Sequence, residues 1–316
     1  MNSPAWFLFV LGAAYGLQPP QMPGNNGDPQ FEVSTSLVQV TARVQDGQGL
    51  LRGLEAKDFI VYDEDERQTI VSFANESAPI DLIVLLDVSG SMKPIALGLA
   101  DTALGALSAV HPDDRVALMT FEGKAKLRVP FTGDHRAIAA AIRQVAQQPH
   151  SGTTNLYRAL IDAAHSLQRG GSAADGSVER RGRVVLMLTD GVAGRATIEQ
   201  RALRALLEAD ATVDAMILGP TIEQYLRSLR PPPYVAQDIR RMAESTGGDV
   251  LSAAQPGGLR PVLERSRLRY TLYYPQPPAP SGTFRRIRVE LAPAVRLAHP
   301  DARVRARTGY YCRGAK

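Results

Sequence analysis

The chain has 316 residues, of which 44% are hydrophobic and 22% charged, ordinary globular composition with apolar material for one or two folded domains. The single cysteine, Cys312, excludes an intrachain disulfide, which suits a bacterial periplasmic protein better than a disulfide-stapled extracellular domain. Formal net charge is +4, and from Arg260 to Lys316 13 Lys and Arg face only Glu264, Glu290 and Asp301. These arginines are scattered through alternating strand-like sequence with no aromatic-rich motif among them, so they read as a solvated sheet face, not a nucleic-acid surface.

In chain order, Ala5 to Leu17 is an apolar run shorter than the ~20 residues that span a bilayer. Small residues at Ala14 and Gly16 suit a signal peptidase, so residues 1–17 read as a signal peptide, with an uncleaved anchor as the alternative. No Lys or Arg precedes the run, and no Cys follows it to carry a lipid. The export this implies places the protein in the periplasm or outside the cell. Residues 18–30 are rich in Pro, Gly, Asn and Gln, which reads as a flexible linker.

From Phe31 the pattern changes. Val38, Val40, Ala42 and Val44 alternate with Gln39, Thr41 and Arg43, and Asp46-Gly47 follows as a hairpin signal. The stretch DFIVYDEDERQTIVSF repeats strand, acidic turn, strand, so 31–78 reads as an N-terminal β segment. DLIVLLD (81–87), RVALMTF (115–121), RVVLMLTD (183–190) and TVDAMILG (212–219) are nearly continuous apolar runs, as parallel strands covered on both faces require. Helical spacing lies between them: Ile138, Ile142 and Val145 in one segment, Leu156, Leu160, Ala163 and Leu167 in another. The alternation predicts a Rossmann-like doubly wound α/β domain over 79–266, ending in a helix around Leu259 to Ser266. After it, LRYTLYYPQ, TFRRIRVELA and ARVRARTGYY read as three antiparallel strands in a C-terminal segment, 267–316. Neither β segment has much core alone, so the two are expected to pack into one small β-sandwich.

In open α/β sheets, ligands bind at the carboxyl ends of the parallel strands. Asp87 ends one strand and Asp190 another, and both carboxylates can converge above the sheet. Ser89 and Ser91 follow Asp87, and Thr154 opens a helix in SGTTNLYRAL, with Thr153 as the alternative loop threonine. Such an all-oxygen shell with few charges suits a hard divalent cation, Mg²⁺ first with Mn²⁺ or Ca²⁺ as alternatives, over Zn²⁺ or Cu²⁺. A helix N-cap would explain one of these residues but not all five. The acidic DEDE turn (63–66) reads as a solvated hairpin tip. The five histidines show no paired metal spacing, Met92 reads as packing, and Lys93 as solvated.

Asp87-Val88-Ser89-Gly90-Ser91, Thr154 in a G-x-T loop and Asp190 in TDG together resemble the metal-ion-dependent adhesion site of von Willebrand factor A domains. The flanking segments are similar to those of bacterial, Acidobacteria-type VWFA-related proteins. One departure is Glu64-Asp65, where that family has Asp-Gly, so a less regular turn is expected there. The resemblance implies that Ser89, Ser91 and Thr154 hold the metal directly, with Asp87 and Asp190 acting directly or through water. It implies a protein-binding or cell-adhesion module taking an exposed Asp or Glu of a partner. The alternative is a scaffold or assembly subunit that binds through the β-sandwich. There is no G-x-S-x-G, no P-loop lysine and no G-x-G-x-x-G after a strand, and Ser89 and Ser91 lack an evident base, so no enzyme is expected.

Overall fold

The computed structural model describes residues 36–47, 49–148, 152, 154–170, 181–190, 198–218, 235–252 and 260–313. The expected signal peptide and linker lie outside the described residues, as does Thr153. In chain order the strands are β1 (Leu37–Asp46), β2 (Gly49–Leu50), β3 (Phe59–Asp63), β4 (Glu66–Gln68), β5 (Ser72–Ser77), β6 (Ile80–Asp87), β7 (Arg115–Phe121), β8 (Ala125–Thr132), β9 (Gly182–Thr189), β10 (Ala211–Ile217), β11 (Val250–Ser252), β12 (Leu268–Pro275), β13 (Phe284–Leu291), β14 (Arg303–Ala306) and β15 (Gly309–Tyr311). The helices are α1 (Ala96–Leu107), α2 (His135–Ala146), α3 (Leu156–Gly170), α4 (Glu199–Glu208), α5 (Val235–Ser245), α6 (Arg260–Arg267) and α7 (Pro293–Ala298).

The expected doubly wound sheet is present as six strands in the order β11-β10-β9-β6-β7-β8. All neighbours pair parallel except β7 and β8, which pair antiparallel. Every residue of β6 is buried, which is why its sequence is apolar without alternation. Ile80, Leu82, Val84 and Leu86 pack with α1 and α2 on one face, while Ile83 and Leu85 pack with α3 and α4 on the other. Asp81 and Asp87 are the polar exceptions in this strand, and Asp81 is held by Arg115 at 2.7 Å and Arg181 at 2.9 Å. α2 starts where the Asp134 carboxylate accepts the N–H groups of Arg136 and Ala137. It buries Ile138, Ile142 and Val145 on one stripe, each contributing about 1.5–3 kcal/mol.

The segments flanking the α/β domain meet as antiparallel sheets, one ordered β14-β1-β12-β5 with β2 beside β1, the other β15-β13-β3-β4. β1 pairs β12 from Leu37↔Pro275 to Ala42↔Tyr270, so the first described strand is zipped to the strand that leaves α6. Val38, Val40, Phe59, Val61, Tyr270, Leu272, Ile287 and Tyr310 share one core between the sheets. The acidic-turn hairpin stops at β4, and the following Ser72–Ser77 crosses to the other sheet to pair with β12. The expected last strand is two, β14 and β15, one in each sheet, because Arg307 and Thr308 carry the chain across. β8 and the short α7 were not foreseen: β8 is an exposed edge strand and α7 is a six-residue helix that begins at Pro293.

The Glu64-Asp65 turn corrects the expectation of irregularity. Both residues have positive φ, 49° and 69°, as a type I′ hairpin turn requires. Regular geometry is reached with residues that favour it poorly, and Glu64 compensates by ion-pairing Arg286 at 3.1 Å.

The basic C-terminal segment also differs from the expected solvated face. Arg286, Arg288 and Arg303 are exposed, but Arg265 and Arg305 reach Asp249, Arg267 pairs with Asp114, and Arg307 pairs with Asp210. The surplus positive charge is spent on carboxylates of the α/β layer. Cys312 is a free, buried thiol in the sandwich core. Among the described residues no helix is long and apolar enough to cross a membrane.

Candidate metal centre

The carboxyl ends of β6, β7 and β9 lie side by side, and three loops leave from them. Strand register sets Leu86 opposite Leu188, which brings Asp87 beside Thr189 and one residue from Asp190. The Thr189 hydroxyl donates to Asp87 Oδ2 at 2.6 Å, the short distance of a charge-assisted bond. The Ser89 N–H donates to Asp87 Oδ1 at 3.0 Å, turning the chain back over the strand end. The Ser89 and Ser91 hydroxyls then stand 3.2 Å apart. Met92 follows as a fully buried packing residue and Lys93 is exposed, so the helical turn after the serines is anchored by Met92.

The threonine loop is tied into the same place. Gly90 N–H donates to the Gly152 carbonyl at 3.3 Å, and Asn155 N–H to the Glu122 carbonyl at 3.1 Å. Val88 N–H donates to Phe121 O, locking the β6 exit to the β7 exit. Gly152 has φ +86°, a conformation that favours glycine, and a Cβ there would stand 3.1 Å from Glu122 Oε2. Thr154 lies half-buried immediately after, at the entry to α3.

Asp87 is fully buried, and burial pushes its carboxyl up to about 6. Bonds from Thr189 and Ser89 pull it back, and the Asp190 charge adds to the rise, which places the two carboxylates within electrostatic reach. Among the described residues no Lys or Arg pairs with Asp87. A buried carboxylate with hydroxyl neighbours and no base is costly unless a cation completes it. The donor set of two carboxylates and hydroxyl oxygens fits a hard divalent ion. It contains no cluster of three or more His, Cys, Asp or Glu among the described residues, so any cation held here would depend on hydroxyl oxygens as well as carboxylates.

Two residues here escaped the sequence reading. Thr189 stands in the same TDG stretch as Asp190, and its role shows only when β9 is set beside β6. Glu122 places a third carboxylate at the rim, paired with Lys126 at 3.1 Å, and no spacing in the sequence links it to residue 152.

A doubly wound α/β domain with a cation-type oxygen cluster over its central strand defines the class. Residues 82–192 match the family model of the von Willebrand factor type A domain, and the protein carries such a domain. No curated protein matches the chain. Among solved structures it is similar to a von Willebrand factor type A protein from Catenulispora acidiphila, with 13% identity over 83% of this chain and 72% of that one and a TM-score of 0.47. It is also similar to manganese-loaded TRAP from Plasmodium vivax, with 14% identity, 74% and 98% coverage and a TM-score of 0.45. An aerotolerance-related membrane protein from Bacteroides fragilis shows 16% identity, 59% and 98% coverage and a TM-score of 0.43.

Proposed function

We propose that the protein is an exported, divalent-cation-dependent protein-binding module. Asp87, Ser89, Ser91, Thr154 and Asp190 would hold the cation, Mg²⁺ in the first instance, and a partner would offer an exposed Asp or Glu. The observation that carries the reading is the buried Asp87, joined by hydrogen bonds to Thr189 and Ser89 and lacking a basic partner among the described residues. When bound, the ion supplies a Lewis-acidic position for an anionic oxygen. The chain's own residues orient the hydroxyls and exclude water beneath them. The reading is of binding and not catalysis, with Asp87, the carboxylate that the Ser89 side chain meets, assigned to holding the cation.

The test is calorimetric titration of Mg²⁺ into the purified chain. Saturable binding that is lost in Asp87→Ala is the expected result. Equal binding by wild type and variant would sink the reading. Partner capture with and without EDTA then separates this reading from a scaffold acting through the sandwich: loss in EDTA supports the first, persistence the second.

A further inference from the structure

At the opposite end of the parallel strands, five guanidinium groups line one small cavity. Arg43 comes from β1, Arg181 and Arg183 from the entry to β9, Arg269 from β12 and Arg307 from the link between β14 and β15. The lining contains one carboxylate, Asp210. Two further carboxylates lie behind it, Asp214 paired with Arg43 and Asp81 with Arg181. The volume is about 50 Å³, room for about four waters and so for one four-oxygen anion.

The arginines are held in place from behind. Arg307 donates to Asp210 and to the Gln39 carbonyl, and its buried Nε has no hydrogen-bond partner. An orphaned buried donor of this kind calls for an acceptor in the adjoining space. Arg183 donates to the Ala209 carbonyl at 2.8 Å, a bond that leaves its charge unopposed by that partner. The Arg269 guanidinium lies against Gly182, where a Cβ would stand 1.6 Å from Nη1, so a larger residue there would displace the arginine. Gln39, Leu207, Asp210 and Arg307 also line a wider groove of about 530 Å³ that carries Tyr310 and Tyr311, which provides an approach from solvent.

The geometry points to a small-oxyanion site between the β-sandwich and the base of the α/β layer, taking a phosphoryl or carboxylate group through Arg183 and Arg307. It is independent of the cation site, because it sits at the amino ends of β9 and β10 while Asp87 and Asp190 stand at the carboxyl ends of β6 and β9.

The experiment is thermal unfolding and calorimetry of the full chain in EDTA, with inorganic phosphate or acetate titrated against chloride at matched ionic strength. Saturable stabilisation by phosphate or by acetate is expected, and the more effective anion identifies the source. Arg307→Gln and Arg183→Gln should each weaken that anion at least about tenfold, as loss of a charge-assisted bond does. Circular dichroism checks that each variant folds; if Arg307→Gln does not, Arg183→Gln carries the test. Equal effects of all three anions, as for a cavity that holds only water, would overturn the proposal, as would wild-type anion binding in the folded variants.

Discussion

Asp87 is a residue whose surroundings disfavour the charge that its proposed role requires. The Thr189 hydroxyl is the shortest bond that keeps it ionised, so Thr189→Val is expected to cost about 1–3 kcal/mol in urea unfolding and to raise the Asp87 carboxyl further. The same carboxyl sets a pH dependence. It titrates at about 6 in the folded chain against 3.8 ordinarily, so between those values the folded state binds more protons than the unfolded one. Stability in EDTA therefore falls as pH rises through that window, by at most about 3 kcal/mol from this group. Subtracting the profile of Asp87→Asn isolates the contribution, and Mg²⁺ should shrink it because the cation replaces the proton. The five proposed ligands, Asp87, Ser89, Ser91, Thr154 and Asp190, stand out in the sequence because each lies at or beside an element boundary that the hydrophobic pattern marks. Thr189 was not, since a threonine in a strand has many uses and only the register against β6 selects one.

Among the elements, the apolar runs of β6, β7, β9 and β10 announced themselves by length and continuity, and α2 and α3 by their spacing. The edge strand β8 did not, because Lys126 and Arg128 alternate with half-exposed apolar residues and pack on one neighbour alone. The β3–β4 hairpin shows how a turn can be regular and strained at once. Asp65→Gly relieves the left-handed conformation at φ 69° and is expected to stabilise by up to about 1 kcal/mol, read as a rise in urea midpoint. The pairs lost with the Asp65 carboxylate, at 3.8 and 3.9 Å to Arg288 and Arg286, are exposed and contribute little.

The described residues, from 36 to 313, form one compact unit. Its two layers are joined by short connections, β5 into β6 and α6 directly into β12, both at the end of the parallel sheet away from Asp87. Buried ion pairs lock that junction. Asp214 is its hub, taking Arg43 at 3.3 Å, the Ser266 hydroxyl at 3.0 Å and the Asp249 N–H at 2.9 Å. Asp214→Ala leaves the buried Arg43 charge with only the neutral Ser266 hydroxyl and Gly247 carbonyl as partners, and the expected cost is about 3–5 kcal/mol. Urea unfolding followed by far-ultraviolet circular dichroism should show that loss within a single transition, because the layers share the hub.

Composition and periodicity were enough to establish a doubly wound α/β domain, a β-rich segment at each end, and an oxygen cluster after two parallel strands. These depend on local rules: burial on both faces makes a strand continuously apolar, and loops at strand ends carry the polar groups. The tertiary structure decided what depends on distant residues meeting: the zipping of β1 to β12, the splitting of the last strand between two sheets, and the recruitment of C-terminal arginines by carboxylates of the α/β layer. A charged side chain reads the same in sequence whether water or a buried partner receives it, and only packing distinguishes the two.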